Sequence, residues 1–305
     1  MKQSTLPVGQ EYELYTEIKE LFHAGAKRLH KNKYGPKIYT DLQRVALLIL
    51  YVRSGCSLRR FCEVYLIESR WPKWLGLREL PGKSTLHDWM NQFDMSLLRK
   101  LNKQLLADEQ PRVMAIDGTG LNADSKSAHY AHRIRAPMKK GPKLDIIVDT
   151  DSLLVHDWSL LLKPRHDAYV AKNLLKRTPR RGVLILGDKG YDSEELYKIC
   201  EQNNNHFWAP IKNAPYSDQP PKKLGRAKKR SHKQLCNKQT RRSLVESTFY
   251  SLKNRFQTLR ARLPYMKKRE LAWHILARNI ETKISLLLRH IFARFEVLVR
   301  YAHHT

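Results

Sequence analysis

Apolar residues in the first third of the chain recur at steps of three and four, the spacing that gathers them on one stripe of a helix. YELYTEIKELF and DLQRVALLILYVRSG both follow it, with few β-branched runs, so residues 11–110 are expected to be helical. SLRRFCEVYLI and STLHDWMNQF carry the pattern on either side of a break marked by Trp71, Pro72, Pro81 and Gly82. Ser84 stands where a helix needs an N-cap, since a serine hydroxyl accepts from the first free backbone N–H groups. Two short helices about a Gly/Pro turn, the second polar on one face, fit either a helix-turn-helix DNA reader or a plain helical packing module.

From Pro111 the period changes. RVMAIDGTGL is a short apolar run ending in Asp-Gly, and KLDIIVDTDSLLVHDWSLLL reads as two strands around the turn signal DTDS. AYVAKNLLKR is helical, GVLILGDKGYD is a buried strand entering a Gly-rich turn, EELYKICEQN is a helix and HFWAPIK a strand. Three strands, helix, strand, helix, strand predict an α/β fold in which helices flank a mixed central sheet. A basic loop at 212–242 precedes a helix in RRSLVESTFYSLKNRF, and LAWHILARNIETKISLLLRHIFARFEVLVRY reads as two more helices. The expected division is a helical region at 1–110 with a candidate helix-turn-helix, an α/β domain at 111–290, and a helical tail at 291–305.

Charge narrows the function. Among 305 residues, 57 Lys and Arg face 29 Asp and Glu, a formal net charge of +28, while 42% apolar residues sustain a folded core. A field of this sign draws polyanions and is foreign to most metabolic enzymes. The densest basic stretch, PPKKLGRAKKRSHKQLCNKQTRR, contains Lys228, Lys229 and Arg230. It interrupts a domain between a strand and a helix, which favours a nucleic-acid contact over a solvated tail. No helix pairs a strongly basic face with an exposed aromatic one, so nucleic acid suits this charge better than a membrane surface does. Cys56, Cys62, Cys200 and Cys236 show neither CxxC nor framework spacing and read as reduced thiols. The longest apolar run, Val45 to Val52, is too short to span a bilayer, and the N-terminus lacks an apolar signal core; a soluble, cytoplasmic protein is expected.

Three acids then stand out. Asp117 follows VMAI and precedes Gly118; Asp188 follows VLILG and precedes Lys189 and Gly190. Carboxyl ends of strands are where functional groups converge in α/β sheets, although either Asp alone is also an ordinary turn residue. Glu246 lies on a helix whose Val245, Phe249, Leu252, Phe256 and Leu259 form the buried stripe. With Val245 at zero, Arg242, Lys253 and Glu246 fall at about 60°, 80° and 100°, one flank beside that stripe. The Arg242 and Glu246 pair is also spaced as a surface ion pair. Three carboxylates in a basic chain suit hard divalent cations, held by carboxylates together with substrate phosphates. His129 and His132 have metal-like spacing but no further ligand nearby, and Trp273 reads as core rather than as a base-stacking platform.

AIDGTG, GDKGYDS and the pattern Arg, three residues, Glu, six residues, Lys, met by Arg242, Glu246 and Lys253, resemble the DDE transposases of the IS4/IS5 insertion-sequence superfamily over roughly residues 40–285. The resemblance implies an RNase H-like catalytic domain at 111–290, with Asp117, Asp188 and Glu246 as catalytic metal ligands for two Mg²⁺ or Mn²⁺ ions. It also implies DNA contacts by Arg242, Lys253 and Lys189 and a homodimer on double-stranded DNA, at transposon ends and target, near a prokaryotic nucleoid. It departs at Gln239, where the family signature carries a Tyr; Tyr250 lies on the same helix. A hydrolysis-only nuclease of the same fold, or a DNA-binding protein that has lost catalysis, would share these residues.

Overall fold

The computed structural model describes residues 8–23, 38–121, 142–163, 165–178, 180–210, 225, 229, 244–255 and 259–302. They fall into two units, Met1–Ala107 with Leu259–Thr305, and Asp108–Thr258. The expected α/β range of 111–290 therefore overlaps both, because the last long helix packs with the N-terminal ones.

The first unit is helical, as its periodicity predicts. It holds α1 (Val8–His23), α2 (Asp41–Ser54), α3 (Leu58–Arg60), a π turn (Phe61–Tyr65), α4 (Leu66–Glu68), α5 (Trp71–Trp74), α6 (Lys83–Gln92), α7 (Met95–Leu105) and, after the second unit, a final helix. At the start of α2, Gln43 N–H donates to the Thr40 hydroxyl and Thr40 N–H to the Gln43 side chain, a capping box that satisfies two free donors. Val45 to Leu50 are buried on all sides, since α2 packs against both α1 and the final helix. Ser84 does not cap α6: Gly82 holds the N-cap position without a side-chain bond, and Ser84 lies in the first turn. Leu86, Trp89 and Met90 are buried while His87, Asp88, Asn91 and Gln92 are exposed, so the expected polar face of α6 is present.

LAWHIL and the residues after it form one helix rather than two. It runs over Pro264–Ala302 without a glycine or an internal proline to break it, and Leu271 to Ile280 are buried on every side. Trp273 is fully buried, edge-on to Phe93 at 5.0 Å, which makes it core.

In the second unit, β1 (Val113–Gly120), β2 (Lys143–Asp149), β3 (Val155–Leu161), α8 (Asp167–Arg177), β4 (Leu184–Gly187), α9 (Glu194–Gln202), β5 (His206–Trp208) and α10 (Leu244–Arg255) follow the predicted order. The final helix of the first unit is α11. The strands lie in the order β3-β2-β1-β4-β5, with β1, β2 and β3 antiparallel and β4 and β5 parallel to β1. This is the RNase H-like mixed sheet. The β2–β3 hairpin turns at DTDS, where Asp149 accepts from the N–H groups of Asp151 and Ser152 and Leu153 takes a positive φ of 61°. On one face, Val170, Leu174, Leu196 and Ile199 of α8 and α9 pack against Met114, Ile116, Ile147 and Ile185. Among the described residues, no helix is long and apolar enough to cross a membrane.

Candidate active site

Met114 to Ile116 and Leu184 to Gly187 are buried throughout, so they form the middle of the sheet, and an aspartate follows each run directly. The parallel register pairs Met114 with Ile185, Ala115 with Leu186 and Ile116 with Gly187. The next residue on each chain is an aspartate. Asp117 and Asp188 are thus side by side, Asp117 within β1 rather than at the strand end the sequence suggests, because β1 goes on pairing with β2 as far as Gly120, and Asp188 directly after β4. Neighbouring strands lie about 4.8 Å apart in a sheet. Both are partly exposed. Asp117 accepts from the Gly118 N–H at 2.7 Å, and the Asp188 carbonyl accepts from Tyr191 N–H at 2.9 Å in a 3₁₀ turn over Lys189–Tyr191.

Glu246 sits in the first turn of α10, exposed, on a helix that packs against β1. Val245, Phe249 and Leu252 are buried as the stripe predicts, and Thr248 joins them. The described part of α10 runs to Arg255, Phe256 lies outside the described residues, and Leu259 belongs to the other unit. Lys253 is half-buried on the Glu246 flank, and burial lowers its pKa. Tyr250 is exposed, one helical turn beyond Glu246. Lys189 and Lys229 are exposed. Arg242, Lys228, Arg230, Gln239, His129 and His132 lie outside the described residues.

The two aspartates are therefore brought together by the sheet, and Glu246 is carried on a helix against the same strand. Among the described residues, no three His, Cys, Asp or Glu side chains form a ready metal-binding group. The aspartate pair is an all-oxygen donor set of the kind a hard divalent cation takes, with water and phosphate completing its shell.

Sequence reasoning missed a network beside this pair. Asp145, on β2, is paired in register with Gly118 and is completely buried. Its Oδ1 lies 3.2 Å from Lys143 Nζ and accepts from the Tyr191 hydroxyl at 3.4 Å, while Lys143 also bonds Asp167 at the start of α8. Burial raises the Asp145 pKa, and Lys143 opposes that. Burial first, then the carboxylates of Asp145, Asp117 and Asp188, push the Tyr191 pKa well above the usual tyrosine range. An acid inside the apolar run KLDIIVD was the one signal available.

A mixed sheet with paired aspartates on adjacent strands, and a helix bearing a glutamate against the first of them, defines the class of RNase H-like domains with a carboxylate site. Residues 108–280, over half of the chain, match the Transposase DDE domain family, and the chain belongs to that family. Among solved structures, a piggyBac transposase synaptic complex with hairpin DNA matches at a TM-score of 0.42 and 12% identity, covering 91% of this chain and 74% of that one. No curated protein matches.

Proposed function

We propose that the protein is a DNA transposase of the IS4/IS5 superfamily, acting as a homodimer on double-stranded DNA at transposon ends and target, in a prokaryotic nucleoid. The observation that carries this reading is the register that sets Asp117 beside Asp188 with the Glu246 helix against β1. Asp117, Asp188 and Glu246 would hold two divalent cations, Mg²⁺ or Mn²⁺. When bound, such ions stabilise the charge that develops on the phosphoryl oxygens and ease ionisation of the attacking hydroxyl.

The chain's own cations do the rest. Lys253, on the Glu246 flank about two helical turns on, meets a phosphate as a point charge, and Arg242, four residues before Glu246 in sequence, offers a bidentate fork. Lys189 reaches the phosphate next to Asp188, and Lys228, Lys229 and Arg230 hold the duplex backbone further out. In the first step, water attacks the phosphodiester at a transposon end and the 3′ oxygen leaves. In the second, the freed 3′-OH attacks a target phosphodiester, one P–O bond forming as another breaks.

A strand-transfer assay with Mg²⁺ and a labelled end duplex tests this reading. Joined product is expected from the parent and should be lost in Asp117→Ala, Asp188→Ala and Glu246→Ala. Cleavage without joining would mark a nuclease. Binding with neither step would mark a silent DNA-binding protein.

A further inference from the structure

Two glycines beside the aspartates are held against charged side chains. A Cβ on Gly118, the residue after Asp117, would lie 2.5 Å from Asp145 Oδ1 and 2.7 Å from Lys143 Cε. A Cβ on Gly190, two residues after Asp188, would lie 2.8 Å from Asp167 Oδ2. Asp145 and Lys143 therefore meet the backbone just after Asp117, and Asp167 meets the backbone just after Asp188. They are joined to one another through Lys143, and Tyr191, from the Asp188 turn itself, closes the connection by donating to Asp145.

Strand alternation sets the direction of this contact. Gly118 and Asp145 are cross-strand partners and so share a face with Ile116, the face covered by α8 and α9; Asp117 projects to the other. The charged group thus lies behind the backbone that presents the aspartates. It is also costly to keep. Asp145 Oδ2 is buried with no partner among the described residues, and Tyr191, Asp145 and Lys143 occupy space that apolar side chains would fill more cheaply. A buried polar group kept at such a cost needs a specific reason, and rigid positioning of what lies next to it is one that a buried network supplies.

We propose that Lys143, Asp145, Asp167 and Tyr191 form a positioning network that sets the separation of Asp117 and Asp188 by bracing the backbone at Gly118 and Gly190. It rests on reading the aspartate pair as a divalent-cation site. The network touches neither cation nor DNA; it acts through the backbone, as outer-shell partners orient the ligands of other metal sites.

The test is Mn²⁺ binding to the full chain, followed by electron paramagnetic resonance, with thermal unfolding measured on each variant. The parent should bind Mn²⁺ and Asp117→Asn should lose it. Tyr191→Phe removes one hydroxyl and keeps the ring in the core; it should fold and weaken Mn²⁺ binding about 10-fold or more. Strand transfer by this variant should need the same factor more metal and recover when metal saturates. Gly190→Ala, which displaces Asp167 rather than Tyr191, should act in the same direction. Parental Mn²⁺ affinity in folded Tyr191→Phe and Gly190→Ala overturns the network while leaving the cation site standing, and so does a lowered melting temperature with unchanged affinity. A parent that binds no Mn²⁺, or an Asp117→Asn variant that binds like the parent, overturns the cation reading and the network with it.

Discussion

Lys143 and Asp145 illustrate how a single side chain near this site is governed by burial. Asp145 is wholly buried, and the Lys143 side chain is 15% exposed. Removing one member of a buried pair costs about 3 kcal/mol or more, because the other charge is stranded away from water. In Lys143→Met the stranded group is Asp145, whose pKa burial already raises and Lys143 no longer lowers. A folded-state pKa above the unfolded one means that the folded chain holds the proton more tightly. Stability is then kept at low pH and lost as pH climbs through the folded-state value. Urea unfolding of Lys143→Met should therefore show its full deficit near pH 8 and a smaller one near pH 5. Equal deficits at both would show that Asp145 is not the group left uncompensated.

Helix α10 makes stability and chemistry separable, since one element carries both a buried stripe and an exposed acid. Glu246 is exposed, and surface substitutions usually stay within about 0.5 kcal/mol, so Glu246→Ala should abolish strand transfer with unfolding unchanged. Leu252 is fully buried on the apolar stripe, and Leu252→Ala should lose about 2–5 kcal/mol in urea unfolding. A large stability loss from Glu246→Ala would show that its role is structural. This helix and the two aspartate strands were legible in the sequence because each is written locally: an apolar run ending in Asp, or a stripe with a flank. The bracing network was not. Lys143 and Asp145 come from β2, Asp167 from α8 and Tyr191 from the turn after β4, and only the hairpin register and the crossover bring them together. Ser84 failed as a cap because Gly82 supplies an extended backbone one position before Lys83. The long C-terminal helix reads as two in the sequence, since burial on all sides at Leu271–Ile280 blurs the period that marks a helix's faces.

For the whole molecule, the decisive quantity is a net charge of +28, which exceeds what any single contact explains. Binding to duplex DNA by such a chain is driven largely by release of counterions, and the logarithm of the binding constant falls linearly with the logarithm of salt. The slope is about −0.9 per phosphate neutralised, so it counts contacts without requiring a structure of the complex. Lys228, Lys229 and Arg230 belong to the densest basic segment of the sequence, and each is proposed to meet one phosphate. Replacing all three with Ala should flatten the slope by roughly 2.7 and weaken binding to specific and unrelated duplexes alike, since phosphate contacts carry no sequence information. Asp117→Asn should leave slope and affinity near the parent's when no divalent cation is added, because it removes a cation ligand and no phosphate contact. Fluorescence anisotropy across a salt series measures both variants. An unchanged slope in the triple variant would release the segment from the DNA interface and move the counterion release onto the basic residues elsewhere in the chain.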